Sequence, residues 1–249
     1  MSRSTDGAAA IQITNLCKAY DGQTILDRVT LQVREGETLV VLGRSGTGKS
    51  VLLRLLIRLQ QPDSGSIQML GREITGLSEL DLYEVRKKVG FVFQNSALYD
   101  SLTVAENVAF PLRYHTRMTG SQRHDRALEI LARVGMEEAA AKMPTDISGG
   151  MKKRVGLARA LALEPDIMLY DEPTAGLDPI TSGEINDLIL MLQKDRAMSS
   201  IVVTHEIHSA ATISDRVALL DQGSIVFDGT FEALKQSEDA FVSKFVQTG

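Results

Sequence analysis

The chain has 249 residues, of which 43% are hydrophobic and 24% charged, the proportions of an ordinary globular protein. This composition excludes a disordered tail, a collagen-like repeat and a disulfide scaffold. The net charge of −5 at pH 7 argues against a surface that binds a nucleic-acid duplex. Cys17 is the only cysteine, so no intrachain disulfide or multi-cysteine zinc site can form, which favours a reducing compartment. No apolar stretch approaches the roughly 20 residues of a membrane span.

Short apolar runs alternate with helical spacing, which predicts an α/β protein with a largely parallel sheet. The first two strands alternate apolar and polar residues and predict an antiparallel β portion, whereas the continuous apolar run at 37–42 predicts a central strand buried on both faces. The elements predicted for the first hundred residues are strands at 11–17, 25–33, 37–42, 66–70 and 89–93, and helices at 50–59 and 77–88.

From residue 104 to about 142 the pattern becomes helical, with no convincing strand. We predict a single domain over residues 11–245, a helical subdomain inserted at about 95–163, and a flexible N-terminus at 1–10. The elements predicted here and beyond are helices at 104–112, 121–134, 137–142, 149–163, 180–194, 207–213 and 239–246, and strands at 167–171, 201–204, 217–221 and 225–227.

A complete phosphate-binding motif lies between the predicted central strand and the helix that follows it. The segment 43–50 matches G-x-x-x-x-G-K-[ST], and its glycines let successive backbone N–H groups converge on phosphate oxygens. Lys49 is expected to reach the β- and γ-phosphates, and the Ser50 hydroxyl to ligate Mg²⁺. The plainer alternative, a glycine-rich turn, is disfavoured by the complete motif in this setting. The predicted ATP-binding residues of this segment are Gly43, Arg44, Ser45, Gly46, Thr47, Gly48, Lys49, Ser50 and Val51.

An acidic pair follows the apolar strand predicted at 167–171. Asp171 and Glu172 stand at its carboxyl end, where open α/β sheets bind their ligands. Asp171 is expected to belong to the Mg²⁺ shell, and Glu172 to orient or polarise the attacking water. A helix cap is the alternative for such a pair seen alone. Together with the first motif, the pair predicts a nucleoside triphosphatase that uses Mg²⁺.

A second anion-binding arrangement opens the helix predicted at 149–163. A serine and two glycines at a helix start expose N–H groups to an anion. One nucleotide rarely needs two such cradles, so this one is expected to serve a nucleotide held by another copy of the chain. The alternative is a plain helix cap followed by a solvated basic face. The cradle consists of Ser148, Gly149, Gly150 and Met151, and the basic face would consist of Lys152, Lys153 and Arg154.

In this order, and over nearly the whole chain, the motifs resemble the ATP-binding subunit of an ATP-binding cassette (ABC) transporter. The resemblance implies that Gln94 contacts Mg²⁺ and the attacking water, and that His205 contacts the γ-phosphate. It also implies that Asp178 belongs to the D-loop and that Tyr20 stacks on adenine. Metal contacts are thus expected from Ser50, Gln94 and Asp171, and catalytic roles from Glu172, His205 and Gln94.

The same resemblance implies a head-to-tail homodimer, in which each ATP lies between the P-loop of one chain and the signature segment 148–151 of the other. It implies an integral membrane permease, one helix of which would enter a groove formed by residues 95–111. The chain is then expected at the cytoplasmic face of the inner membrane, held there through the permease. No nucleic-acid partner is expected.

The signature departs from the common Leu-Ser-Gly-Gly-Gln, because Met151 cannot donate a hydrogen bond as glutamine does. Ser-Gly-Gly-Met followed by Lys-Lys-Arg-Val-Gly-Leu-Ala-Arg-Ala resembles the ATPases that work with mammalian-cell-entry (MCE) proteins, including Mla-type phospholipid systems. This resemblance implies lipid cargo, most of all phospholipid, and an MCE-domain protein as partner. A small STAS-domain partner stays an open alternative.

Two other functions were weighed against lipid transport. An importer of a polar solute such as an amino acid is disfavoured by the sequence that follows Ser148. A non-transport ABC ATPase acting on ribosomes or DNA is disfavoured because the chain has one cassette, no heptad run and an acidic charge balance.

Overall fold

The computed structural model describes residues 8–196 and 198–248. Within these ranges the chain forms ten strands in two sheets and nine α-helices. The strands are β1 (Ala9–Tyr20), β2 (Gln23–Arg34), β3 (Thr38–Leu42), β4 (Ser64–Met69), β5 (Arg72–Glu73), β6 (Val89–Val92), β7 (Ile167–Asp171), β8 (Ser199–Thr204), β9 (Arg216–Asp221) and β10 (Ser224–Gly229). The helices are α1 (Lys49–Leu56), α2 (Glu79–Arg86), α3 (Val104–His115), α4 (Gly120–Arg133), α5 (Gly149–Leu161), α6 (Pro179–Arg196), α7 (Ile207–Ile213), α8 (Phe231–Lys235) and α9 (Ala240–Thr248).

The larger sheet has six strands in the order β10-β9-β3-β8-β7-β6, and all except β10 are parallel. All five residues of β3 are buried. Val40 and Leu42 join the core cluster shared with α3–α6, whereas Leu39 and Val41 join the cluster shared with α1 and the second sheet. A strand covered on both faces has no polar side to present, which is why its sequence is apolar without alternation. The prediction of a largely parallel sheet with this central strand is confirmed.

The smaller sheet is antiparallel, with four strands in the order β2-β1-β4-β5. Strands β1 and β2 pair as the first two predicted strands, and their alternation places one face in the core between the two sheets. The predicted antiparallel β portion at the start of the chain is confirmed. Of the predicted flexible N-terminus, residues 9 and 10 begin β1, and residues 1–7 lie outside the described residues.

Helices α3, α4 and α5 share one apolar cluster between residues 104 and 161. The helix predicted at 137–142 is wrong: only a single 3₁₀ turn forms, at Glu137–Ala139. The rest of the segment follows the start of α3 instead, because the carbonyls of Ala140 and Lys142 accept from the N–H groups of Ala105 and Val104, which have no partner within α3 itself. The boundaries proposed for an inserted helical subdomain, 95–163, stay a prediction.

Two short elements were not predicted, β5 and α8, because two and five residues are too few to show a period. Helix α1 ends before the predicted residue 59, since Arg58 takes a left-handed backbone conformation with φ of 50°. Across the described ranges, no helix combines the length and the apolar character needed to cross a membrane.

The buried strand β7 carries Asp171 at its end and leads into Glu172, and the contribution of its packing to stability can be tested. Leu169→Ala removes a fully buried side chain and should lower the free energy of unfolding by about 2–5 kcal/mol. The same substitution at Leu80, which is 79% exposed, should change it by less than about 0.5 kcal/mol. Chemical denaturation of both variants measures the difference. Equal effects would contradict the assignment of β7 to the core.

Candidate active site

The predicted P-loop joins β3 to α1 and surrounds the amino group of Lys49. Gly48 caps α1 with φ of 100°, a left-handed conformation that a side chain would strain. Lys49 is 5% exposed, and its Nζ donates to the carbonyls of Gly43 at 2.7 Å and Arg44 at 3.0 Å. The loop therefore wraps around a buried ammonium group at the N-terminus of a helix, an arrangement suited to binding phosphate.

Asp171 ends β7 next to the P-loop serine. The Ser50 hydroxyl donates to Asp171 Oδ1 at 2.6 Å, so the two motifs meet although 121 residues separate them. Burial is the largest influence on the Asp171 carboxyl and raises its pKa, while the hydrogen bond from Ser50 acts in the opposite direction. A hydroxyl and a carboxylate thus stand together at the carboxyl edge of the sheet.

Glu172 is held through both its side chain and its backbone. Its Oε1 lies 3.3 Å from Lys49 Nζ, and its Oε2 lies 3.0 Å from His205 Nδ1. Its backbone takes φ of 48°, a left-handed conformation that costs a non-glycine residue about 1–3 kcal/mol and persists only where surrounding contacts impose it. The N–H of Glu172 donates to the carbonyl of Val203 at 2.9 Å, which ties this strained residue to β8.

Lys49, Ser50, Glu172 and His205 open onto one cavity of about 360 Å³, whereas Asp171 lies behind Ser50 and is not among the described residues that line it. The cavity is lined by Tyr20, Ile25, Ser45, Gly46, Gly48, Lys49, Ser50, Val51, Gln94, Glu172 and His205. The structure thus brings together most of the predicted ATP-binding residues and all three predicted catalytic residues. Tyr20 is 38% exposed, and its hydroxyl donates to Gln60, so its position is fixed from one side.

The signature residues and Asp178 form a separate group, because none of them is among the side chains that line this cavity in the described ranges. Ser148 caps α5 by accepting from the N–H of Met151 at 3.2 Å. A Cβ on Gly150 would stand 2.6 Å from Thr181 in α6, so the two helices meet closely at their starts. There the Asp178 carboxylate accepts from the N–H groups of Ile180 and Thr181, at 3.0 Å each.

Lys153 was placed on a solvated basic face in one interpretation of the sequence, and for this residue that interpretation is wrong. Lys153 is 6% exposed, and its Nζ donates to the carbonyls of Gln94 at 2.6 Å and Glu172 at 3.1 Å. Burial lowers the pKa of its ammonium group, and nearby carboxylates partly oppose that change. The one available signal was helical spacing, since Lys153 lies three residues from each of two buried glycines, Gly150 and Gly156.

A buried polar network behind the cavity was also missed. The Glu206 carboxylate accepts from the hydroxyls of Thr174 and Ser209, at 2.8 Å each. Asn186 of α6 donates to the Ser209 hydroxyl at 3.0 Å. The network links the turn after Glu172 to the residue that follows His205. No local sequence pattern identifies it, because its members come from three separate segments, at Thr174, at Asn186 and at 206–209.

Backbone cradles of this kind, with an acidic strand end beside the loop serine, are typical of P-loop nucleoside triphosphatases, and the fold and site place the chain in that class. The comparison with known proteins is more specific. The ABC transporter family model matches residues 26–175, more than half of the chain. The chain therefore belongs to the ATP-binding subunits of the ABC transporter family.

Three curated relatives are similar over most of this chain. The probable ribonucleotide transport ATP-binding protein mkl of Mycobacterium tuberculosis is 41% identical over 98% of this chain and 68% of its own length. The intermembrane phospholipid transport system ATP-binding protein MlaF of Haemophilus influenzae is 39% identical over 95% of this chain and 90% of its own. The methionine import ATP-binding protein MetN of Rhizobium johnstonii is 40% identical over 92% and 63%. The resemblance to ABC transporter ATPases of the Mla type is confirmed.

Solved structures agree with the family and the fold. The ATP-binding cassette MJ0796, solved as a dimer in a post-hydrolysis state with ADP and Pi, has a TM-score of 0.83 and 34% identity over 89% of this chain and 98% of its own. The cassette cbiO1 from Clostridium perfringens has a TM-score of 0.84 and 28% identity over 96% of this chain and 95% of its own. The chain is an ABC-type ATPase, as predicted.

Gly48 provides a test of the P-loop geometry. In Gly48→Ala, the new Cβ would meet Ile25 and Leu26 at 3.0 Å in a left-handed conformation, so we expect weaker binding of ATP and about 1–3 kcal/mol lower stability. Gly183→Ala in α6 is the control, because nothing lies within 4 Å of its Cβ. Titration with a fluorescent ATP analogue and chemical denaturation measure both effects. Unchanged affinity in Gly48→Ala would contradict the assigned phosphate site.

Proposed function

We propose that the chain is the ATP-hydrolysing subunit of an ABC transporter that moves phospholipid between membranes of the cell envelope. The observation that carries this proposal is the identity to MlaF, which extends over 90% of that relative as well as 95% of this chain. Met151 in place of the usual signature glutamine supports the same assignment.

In this proposal, Lys49 and the P-loop amides bind the ATP phosphates, and the Tyr20 ring stacks on adenine. The Ser50 hydroxyl, Asp171 and Gln94 would hold Mg²⁺, which neutralises phosphate charge when it is bound. The residues present fit such an ion, because the hydroxyl and carboxylate oxygens stand 2.6 Å apart beside the cavity and are hard donors. In the described residues, no three or more His, Cys, Asp or Glu side chains are placed so that they could hold a metal ion together, and Mg²⁺ in phosphate sites needs few protein ligands.

Glu172 acts as the base that orients the attacking water, and His205 contacts the γ-phosphate. Phosphate oxygens entering the cavity compete with the Glu172 carboxylate for the Lys49 ammonium, which lies 3.3 Å from it. Release from Lys49 frees one carboxylate oxygen to accept a proton from water, while His205 holds the other at 3.0 Å. The buried setting of Glu172 strengthens each of these interactions.

The working form is a head-to-tail homodimer. Its support is the separation of the functional residues into two surfaces, one around the cavity and one at the starts of α5 and α6. The second surface carries Ser148–Met151 with Asp178, and in the dimer it covers the nucleotide of the partner copy. MJ0796 provides a solved example of a dimeric cassette. Binding of ATP would then shift the population toward the closed dimer, and hydrolysis would release it.

The dimer is proposed to work on an integral membrane permease at the cytoplasmic face of the inner membrane, with an MCE-domain protein in the same assembly. The groove that would receive the permease is lined by aromatic side chains, among them Phe91, Phe93, Tyr99 and Phe110. A small STAS-domain protein remains an open alternative as a further partner.

A second candidate function is import of a polar solute such as an amino acid. The 40% identity to MetN over 92% of this chain is the observation that favours it. That match covers 63% of MetN, less than the share of MlaF that is matched, so lipid transport is the better supported function.

Extraction of the native complex in mild detergent, followed by mass spectrometry of its proteins and lipids, separates the candidates. The proposal expects a multi-span permease, an MCE-domain protein and enriched phospholipid. A permease with a soluble solute receptor and no lipid enrichment would instead favour import. Ribosomal or DNA-repair partners would contradict transport altogether.

Glu172→Gln tests the proposed water-orienting role and the dimer together. The variant keeps the size of the side chain but removes its basicity, so we expect ATP binding to persist and turnover to fall by about 10²-fold or more. Size-exclusion chromatography with light scattering should show a dimer in ATP and a monomer without it. Lys49→Ala is the contrasting variant and should lose most of its affinity for ATP. Monomeric elution of ATP-bound Glu172→Gln would count against the proposed dimer.

A further inference from the structure

Lys153 is a buried cation that has no part in the proposed hydrolysis. Its Nζ contacts two backbone carbonyls that come from distant segments, Gln94 after β6 and Glu172 after β7. Both segments carry side chains that line the cavity, whereas Lys153 itself is not among the lining residues. A buried ammonium group needs oxygen partners, and here these partners are the backbones of two active-site residues.

The same face of α5 holds the rest of the loop that follows Gln94. Arg159, six residues after Lys153, donates to the carbonyls of Ser96 at 2.7 Å and Ala97 at 2.6 Å. Gly156 lies between them on this face, and a Cβ there would stand 3.3 Å from the Ser96 Cβ. Two cations separated by a small residue thus fix segment 94–97 against the helix.

The backbones that these cations hold are strained. Ser96, Ala97 and Glu172 take φ values of 59°, 45° and 48°, in the left-handed region that non-glycine residues avoid. Such conformations persist where surrounding contacts over-determine them. Hydrogen bonds from Lys153 and Arg159 to the carbonyls of these residues and of Gln94 supply contacts of this kind.

We propose that Lys153 is a positioning residue for ATP hydrolysis, which sets Gln94 and Glu172 relative to each other through their backbone carbonyls. The inference rests on the roles proposed above for Gln94 and Glu172. Removal of Lys153 should leave the P-loop unchanged and let the two side chains drift from their shared cavity. Because Ser148 caps α5, the same lysine also joins the signature segment to the active-site residues of its own chain.

The test compares Lys153→Met with Lys152→Met in the full chain. Both variants keep an aliphatic stem and remove one charge, and Lys152 is only partly buried. In Lys153→Met we expect kcat to fall about tenfold to a hundredfold, because small misplacements of reacting groups have effects of this size. KM and the affinity for an ATP analogue should stay within about twofold, because the phosphate cradle is untouched. Lys152→Met should match the wild type in all three quantities.

Two further variants keep the proposal falsifiable if Lys153→Met is poorly folded. Lys153→Arg retains a buried donor with positive charge and should recover much of kcat, whereas Lys153→Gln can reach one carbonyl and should be intermediate. Thermal unfolding of all variants is measured alongside. Wild-type kcat in Lys153→Met or Lys153→Gln would overturn the proposal. A second pattern would also overturn it: a lower Tm, a higher KM and a lower kcat together, with no recovery in Lys153→Arg. That pattern indicates a purely structural role.

Gln94→Ala and Glu172→Gln, measured in the same assay, separate this inference from the function beneath it. If both lose turnover and Lys153→Met does not, only the positioning role of Lys153 is overturned. If Glu172→Gln turns over like the wild type, the proposed catalytic role fails, and the positioning role falls with it.

Discussion

A buried ammonium group is stable in a protein only when oxygen atoms replace the water it has lost, and the active site contains two such groups. Lys49 is surrounded by the carbonyls of Gly43 and Arg44 and by the carboxylate of Glu172. Lys153 donates a hydrogen bond to the backbone carbonyl of the same glutamate. Glu172 is thereby held through its side chain by one lysine and through its backbone by the other, which accounts for its left-handed conformation.

The parallel sheet brings these groups together. Strands β3, β8, β7 and β6 are neighbours in that order and run in one direction, so the loops that follow them leave from the same edge. Each loop contributes one group to the cavity: Lys49 after β3, His205 after β8, Glu172 after β7 and Gln94 after β6. In an antiparallel arrangement, alternate loops would leave from opposite edges, and these four side chains could not meet.

The helices divide the functional residues differently. Helix α1 begins at the phosphate cradle, whereas α5 and α6 begin at a second surface that carries Ser148 and Asp178. Lys153, on the first turns of α5, joins that surface to the cavity. In the proposed dimer this connection would let contact with the nucleotide of one copy influence the active site of the other. The network around Glu206 performs a similar linking function between α6 and the loop of His205.

The sequence by itself determined what depends on neighbouring residues: the phosphate-binding motif before α1, the acidic pair after β7, and the continuous apolar run of β3. These features are local, because a loop that wraps phosphate or a strand buried on both faces restricts each residue in a contiguous stretch. Tertiary structure decided whatever depends on distant backbone. The carbonyls of Ala140 and Lys142 accept from the first N–H groups of α3, so the end of segment 137–142 follows that helix, and Lys153 is buried because the carbonyls of Gln94 and Glu172 lie within its reach. The three consecutive basic residues at 152–154 do not indicate whether Lys153 faces water or two carbonyl oxygens, because those oxygens belong to segments far away in the sequence.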